Sequence, residues 1–330
     1  MPRIVDNVDP QQWEALLQRS PYATPFQSAA FYRFLSGQTC CSPFCLGVED
    51  DGRLQGVMTA MVQCEGGALK RFFTRRAIVN GGPLLSDNIS HEAVTLLLRS
   101  CRKRLKSQAI YLETRNFHDY TPFRHLFEQC AYHYDPHYNF QLAIDDDPRS
   151  HYQKKSLSVL RAGQRLHVRI EEHPSLLQVQ QFYQLLLTLY RKRVRTPLPP
   201  WSFFASAYQL SEFHYLCALD SNSRVVGGIM LADLDKRASY VWYEASDDNC
   251  RQLKIPTVLY DAAIMRCARQ GIAVLDFMGA GSPGDGGYGV RKFKSHFGGT
   301  LVEQGRYKAI LHPLLYHIGT AGVKLLKHLP

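Results

Sequence analysis

A chain of 330 residues with 45% apolar side chains is too long for one ordinary core and suits two domains. Lysine and arginine number 39 against 29 aspartates and glutamates, and this net +10 favours polyanionic partners such as tRNA, nucleotide-linked sugars or an acidic membrane surface. No apolar run reaches the roughly 18 residues of a membrane span, the start Met1-Pro2-Arg3-Ile4-Val5-Asp6 lacks a signal peptide's apolar core, and the scattered cysteines form no C-x-x-C cluster, so a cytoplasmic protein with reduced thiols and neither zinc site nor disulfide framework is expected.

The first recognisable element is a hairpin, Val48 to Met58, in which a polar turn through Asp50-Asp51-Gly52 separates two apolar strands. Helical spacing follows over His91 to Lys106, then a strand over Ala109-Ile110-Tyr111-Leu112-Glu113 that ends in an acid. A strand over Tyr138 to Ile144 leads to the polar break Asp145-Asp146-Asp147-Pro148, which predicts domains 1–147 and 148–330, and a basic helix is expected from Arg149 to Arg165. After a helix over Leu176 to Tyr190 comes a basic run, Arg191, Lys192, Arg193 and Arg195, closed by Thr196-Pro197-Leu198-Pro199-Pro200. A second hairpin, Leu219 to Ile229, repeats the first, and the strand Tyr240 to Glu244 follows, whose alternation places Trp242 and Glu244 on one face and Tyr243 on the other. Helical spacing over Pro256 to Arg269 and the strand Ile272 to Asp276 complete the repetition. Hairpin, further strand, helix and acid-ended strand thus occur twice, which argues for tandem α/β domains derived from one unit.

Beyond Asp276 the chain runs through Phe277-Met278-Gly279-Ala280-Gly281, where glycines allow close approach of backbone to a ligand. Three cations then fall within four residues, Arg291, Lys292 and Lys294, interleaved with Phe293 and Phe297 and closed by Gly298-Gly299. Such a turn suits an anionic substrate or a reaction that develops negative charge. It equally fits a glycine-rich connection with a solvated basic face. The final segment, Leu311 to Leu329, alternates apolar groups with His and Lys; it fits a terminal helix packed on the second domain, or an amphipathic stretch lying on an acidic leaflet.

Other chemistries find less support. A coenzyme A pyrophosphate wants glycines and free N–H groups at a helix start, and the corresponding Arg251-Gln252-Leu253-Lys254-Ile255-Pro256 has a lysine in place of the first glycine and a proline that removes a donor. His133 and His137 flank a proline turn without a third metal ligand, and no Gly-x-Ser-x-Gly elbow supports a serine nucleophile.

The segments Asp276 to Gly279, Gly289 to Lys294 and Phe297 to Gly299 resemble the Fem family of peptidoglycan-bridge aminoacyltransferases, which carry an Asp-Phe-x-Gly strand end, a Gly-(Leu/Val)-x-x-Phe-Lys turn and a Phe-Gly-Gly close. Weaker likeness runs back through Pro256 to Ala268, Tyr240 to Glu244, Arg191 to Phe204 and Gly81-Gly82-Pro83. The resemblance implies an α/β (α+β) fold of two tandem GNAT-like domains, each a mixed, mostly antiparallel twisted sheet flanked by helices. It implies an acyltransferase that moves an amino acid from aminoacyl-tRNA to an amine of a nucleotide- or lipid-linked muropeptide, with no tightly bound cofactor. Lys294 would stabilise the oxyanion of the attacked ester and Phe293 would shape and dry the pocket, in the second domain. Tyr243 would face the acceptor, while Arg195 or Arg191 would meet a diphosphate, with Arg291, Lys292 and Arg251 as further anion contacts. No heptad run matches the coiled-coil arm of some family members, so tRNA contacts attributed to that arm do not transfer. Two alternatives stay open: an acyl-CoA or acyl-carrier enzyme acting on a lipid or small amine, and a degenerate protein that binds cell-wall precursors.

Overall fold

The computed structural model describes residues 1–63, 73–166, 168–194 and 196–328. The chain forms two compact units, Met1–His137 with Glu303–Pro330, and Tyr138–Val302. In the first come β1 (Arg3–Val5), α1 (Pro10–Arg19), α2 (Ala29–Ser36), the hairpin β2 (Cys41–Asp50) and β3 (Arg53–Gln63), β4 (Arg76–Gly81), β5 (Leu84–Leu85), α3 (His91–Leu105), β6 (Tyr111–Asn116), α4 (Arg124–Gln129) and β7 (His133–Asp135). The second contains β8 (Tyr138–Ala143), α5 (Lys154–Arg165), β9 (Arg169–Glu171), α6 (Leu176–Leu189), a π-helical turn over Tyr190–Val194, α7 (Trp201–Ala207), β10 (Phe213–Leu219), β11 (Val225–Leu234), β12 (Ala238–Ser246), α8 (Ile255–Gln270), β13 (Val274–Gly279), α9 (Tyr288–Ser295) and β14 (Thr300–Glu303). The chain then closes with β15 (Arg306–Ile310) and α10 (Pro313–His328).

The repetition read from the sequence is carried by the sheets. One runs β1-β2-β3-β4-β6-β15-β7 and the other β9-β10-β11-β12-β13-β8-β14, the same order position by position, with β5 added beside β3. Each contains a parallel pair, β4 with β6 and β12 with β13, set among antiparallel neighbours. A crossover helix joins each parallel pair, as that connection requires. In α3 the Ser90 hydroxyl accepts from the Ala93 N–H and the buried face is Ala93, Val94, Leu97, Leu98, Cys101 and Leu105, a helical period. Helix α8 carries Pro256 in its first turn and stops at Gly271 in the left-handed region.

The domain boundary differs from the expectation of 147 and 148. The division falls after His137, and residues 303–330 return to the first unit. The cause is pairing: β8 joins β13, with Leu142 opposite Leu275, whereas β15 joins β6, with Tyr307 opposite Thr114, and also β7. A polar break between elements marks where a chain turns, and gives no information on which sheet its strands complete. Among the described residues no helix is long and apolar enough to cross a membrane.

Candidate active site

The site of interest is built where a parallel pair comes apart. β12 and β13 are in register only from Ala238 opposite Val274 to Tyr240 opposite Asp276, yet β12 continues to Ser246 and β13 to Gly279. A bulge helps to bend β12 away, since Met230 of β11 faces Tyr243 while the next residue, Leu231, faces Val241. Past that point β13 exposes carbonyls without a strand neighbour on that side. Lys294, projecting from α9, supplies the missing donors: its Nζ donates to the carbonyls of Phe277, Met278 and Gly279 at 2.8, 2.9 and 2.8 Å. The strand end is further held by Asp276, whose Oδ1 accepts from the Met278 N–H at 2.6 Å and whose Oδ2 accepts from Gln141 Nε2 at 3.0 Å. Met278 itself sits at φ +53°, a conformation costly for a side chain with a Cβ.

Of these groups Lys294 faces a cavity of about 720 Å³ within the second unit. Its walls include Glu244 at the end of β12, Tyr260 of α8, and Val290, Phe293 and Lys294 of α9; Lys192, Arg193, Arg251 and Lys254 contribute cations. The electrostatics are unbalanced, because one ammonium serves two carboxylates. Burial lifts the Glu244 carboxyl to about 7 against the pull of Lys294. Burial also lifts Asp276 to about 6, despite its two hydrogen bonds and the same lysine. Lys294, 5% exposed, is lowered to about 8 by burial, with Asp276 and Glu244 opposing the fall. Tyr260 rises well above the usual phenol range through burial and then through the Glu244 charge. Among the described residues the Glu244 carboxylate has no hydrogen-bond partner, so a substrate amine in the cavity would meet a free acceptor.

The residues anticipated from sequence separate into groups. Phe293 stands in the cavity wall, edge-on to Tyr260 at 5.3 Å and to Phe297 at 5.4 Å. Lys294 lines the cavity too, but all three of its donors are engaged by backbone, so it offers charge rather than a free N–H. Arg251 lines the cavity and lies 3.4 Å from Asp248, which Arg193 also grips at 2.7 and 2.8 Å. The segment expected as a cationic turn is the helix α9. Its Arg291 holds the preceding loop together, donating to the carbonyls of Ala280 at 2.8 Å and Ser282 at 3.3 Å and pairing with Asp285 at 3.1 Å. Lys292 is exposed, and neither it nor Arg291 lines the cavity. Arg191 is exposed in the π-helical turn outside the cavity wall, while its neighbours Lys192 and Arg193 belong to that wall; Arg195 lies outside the described residues.

Tyr243 is placed differently from the strand alternation. The bulge puts Trp242 and Tyr243 in one aromatic cluster, Trp242 at 5.6 Å from Phe203 and Tyr243 at 5.0 Å from Phe204, and leaves Glu244 opposite Ile229 on the face that α8 covers. Tyr243 does not line the cavity. Glu244 and Tyr260 are the site residues that the motifs did not single out, and Arg193 entered only as one of the basic run. A signal for Glu244 existed: a lone carboxylate within an otherwise apolar and aromatic strand is costly unless it is used.

The model of the FemAB family matches residues 207–323, which carry Glu244, Phe293 and Lys294, and this bears out the resemblance read from the motifs. No curated protein matches the chain in sequence. Among solved structures, FemX superposes with a TM-score of 0.72 at 15% identity, over 96% of this chain and 99% of that one. L-PGS from Bacillus licheniformis gives 0.60 at 12% identity over 94% and 96%. A tandem GNAT protein from the clavulanic acid biosynthesis pathway gives 0.60 at 12% over 94% and 99%, so the fold is that of tandem GNAT-like proteins.

Proposed function

We propose that this chain is an acyltransferase that moves an amino acid from aminoacyl-tRNA to an amine of a nucleotide- or lipid-linked muropeptide, with the chemistry in the cavity of the second unit. The observation that carries this reading is the pairing of an unpartnered carboxylate, Glu244, with a buried ammonium, Lys294, where β12 and β13 separate. The acceptor amine attacks the ester carbonyl, and the new N–C bond forms as its proton passes to Glu244. Negative charge on the carbonyl oxygen is stabilised by the field of Lys294, which stays cationic near neutral pH and acts without giving up its carbonyl bonds. The C–O bond to the ribose then breaks, and the proton held by Glu244 goes to the departing hydroxyl. Phe293 and Tyr260 keep water from the ester.

The Fem-like segments and the FemAB match over the same residues support aminoacyl-tRNA as donor. Acyl-CoA is the competing donor. Against it stand Pro256, which lacks an N–H, and Lys254, which occupies the left-handed region at the helix start where close approach of a pyrophosphate wants glycine. Purified protein given a charged tRNA pool and labelled acyl-CoAs, with lipid-linked and nucleotide-linked muropeptides as acceptors, tests the reading directly. Transfer of tRNA-borne label is expected; transfer from acyl-CoA alone would replace the donor.

A further inference from the structure

A second concavity, of about 380 Å³, lies in the first unit, and four of its seven wall residues are cationic, the others being Gln129, Cys130 and Leu311. Arg99, Arg102, Lys103 and Lys106 follow one another at intervals of three, one and three residues, which places them along one side of the last two turns of α3 and just beyond it. Cys130 and Leu311 form the floor, both buried. Among the described residues none of the four cations is paired with a carboxylate, while their neighbour Arg104 is, to Asp6 at 2.9 Å. Four like charges around one hollow repel one another, and the arrangement is stabilised by an anion that enters it.

What surrounds the hollow narrows the anion. Two residues past Leu311 the helix α10 begins, anchored by Tyr316 edge-on to Tyr111 at 5.6 Å. Its outer face presents Leu314, 74% exposed, and Ile318, 49% exposed, one turn apart. Large aliphatic groups left in water next to a cationic hollow contribute nothing to binding a phosphate backbone. They contribute directly to binding a bilayer, by entering the boundary between headgroups and acyl chains. We infer that this surface docks on an anionic membrane, with Arg99, Arg102, Lys103 and Lys106 holding the phosphate-bearing headgroup of an acidic lipid and Leu314 and Ile318 inserted beside it. The amphipathic segment expected from Leu311 to Leu329 is therefore one part of a larger surface whose charge comes from α3; Leu329 and the side chains beyond Thr320 lie outside the described residues. The surface is in the first unit and does not depend on the acyl-transfer reading of the second.

The test is sedimentation of the full chain with vesicles of phosphatidylcholine containing phosphatidylglycerol, compared with phosphatidylcholine alone. Saturable binding to the acidic vesicles is expected, weakening as salt rises. Replacing all four cations (Arg99→Gln, Arg102→Gln, Lys103→Gln, Lys106→Gln) is expected to weaken it more than about a hundredfold. The double change Leu314→Ser and Ile318→Ser should weaken it about tenfold. None of these side chains belongs to the buried core, so the variants fold, and thermal denaturation checks that they do. Equal binding to neutral and acidic vesicles, or unchanged binding by the fourfold variant, overturns the inference. So does an RNA duplex that binds the wild type and not the fourfold variant while acidic vesicles leave both in solution, because the hollow is then a nucleic-acid site.

Discussion

Each sheet carries a buried carboxylate on the later strand of its parallel pair, Glu113 opposite Ile78 and Asp276 opposite Tyr240, and the two carboxylates have opposite surroundings. In the first unit Glu113 of β6 is met by Arg115 at 3.0 Å, Lys308 at 3.3 Å and Arg306 at 3.5 Å. Burial alone would raise its pKa, yet the three cations hold it below the usual carboxylate range. In the second unit Asp276 of β13 shares one ammonium with Glu244, and both carboxyls rise while the ammonium falls. Three cations per carboxylate fix a proton state and make a structural cluster. Two carboxylates per cation leave protons that move near neutral pH, which is what acid-base chemistry needs. A duplicated scaffold thus keeps the strand order in both copies and, at this pair of strands, differs in the local ratio of charges.

Exchanging carboxylate for amide at both places tests that contrast, and gives the largest effects. Glu244→Gln should lower kcat/KM by about two to four orders of magnitude, the usual worth of a positioned base, with thermal stability unchanged or raised because a partly buried charge is gone. Glu113→Gln should do the reverse. It leaves three cations without a counterion, at a cost on the order of 3 kcal/mol or more, while the folded fraction keeps its activity. Initial rates and melting curves on the same preparations decide it, and the contrast fails if both variants lose activity in parallel with stability.

Lys294→Met comes next. Loss of the ammonium should reduce turnover about a hundredfold or more. The same change strips the donor from the carbonyls of Phe277, Met278 and Gly279, so a lower melting temperature should accompany it. Rates measured well below the new melting point separate the two losses, and wild-type turnover there would remove the electrostatic role.

A smaller effect is expected from pH. Glu244 must be ionised to take a proton, so activity should rise through about 7. Lys294 must stay protonated, so activity should fall again above about 8. The expected profile is a narrow bell, each limb changing up to tenfold per unit, and Glu244→Gln should abolish the acid limb of what activity is left. A flat profile from 6 to 9 would mean that neither group titrates in the reaction.

Much of this architecture was legible in the sequence, for identifiable reasons. The hairpins and helices followed from local periodicity and caps, as with Ser90 before α3, and the repeat of elements followed from comparing the two halves. The exchange of β8 and β15 between sheets was not legible, because strand pairing across more than a hundred residues leaves no local mark. At the site, Phe293 and Lys294 were found through their motif, but the ammonium's capture by three carbonyls depends on how β13 leaves β12. Glu244 was assigned to the face of Trp242 because alternation assumes an unbroken strand, and a single bulge reverses it. Arg291 shows the converse error, in which a charge grouped with its neighbours in sequence belongs to the fold of its own loop.

The smallest expected effect concerns the helix starts, where the two units again differ. In the first, the Ser90 hydroxyl occupies an amide at the start of α3. In the second, Lys254 precedes α8 at φ +56°, and Pro256 contributes no N–H. Neither start offers the row of free amides that a pyrophosphate requires, so calorimetry should find acetyl-CoA bound no tighter than about millimolar. Lys254→Gly sharpens the point. Glycine relieves the left-handed backbone and should stabilise the protein by about 1 kcal/mol or less, since its greater freedom in the unfolded chain offsets part of the gain. Coenzyme affinity should stay weak, because the missing donor at Pro256 is not restored. Micromolar binding by the wild type would move the donor from aminoacyl-tRNA to acyl-CoA. Micromolar binding only after Lys254→Gly would instead show that steric closure by Lys254, rather than the absent amide, is what keeps the coenzyme out.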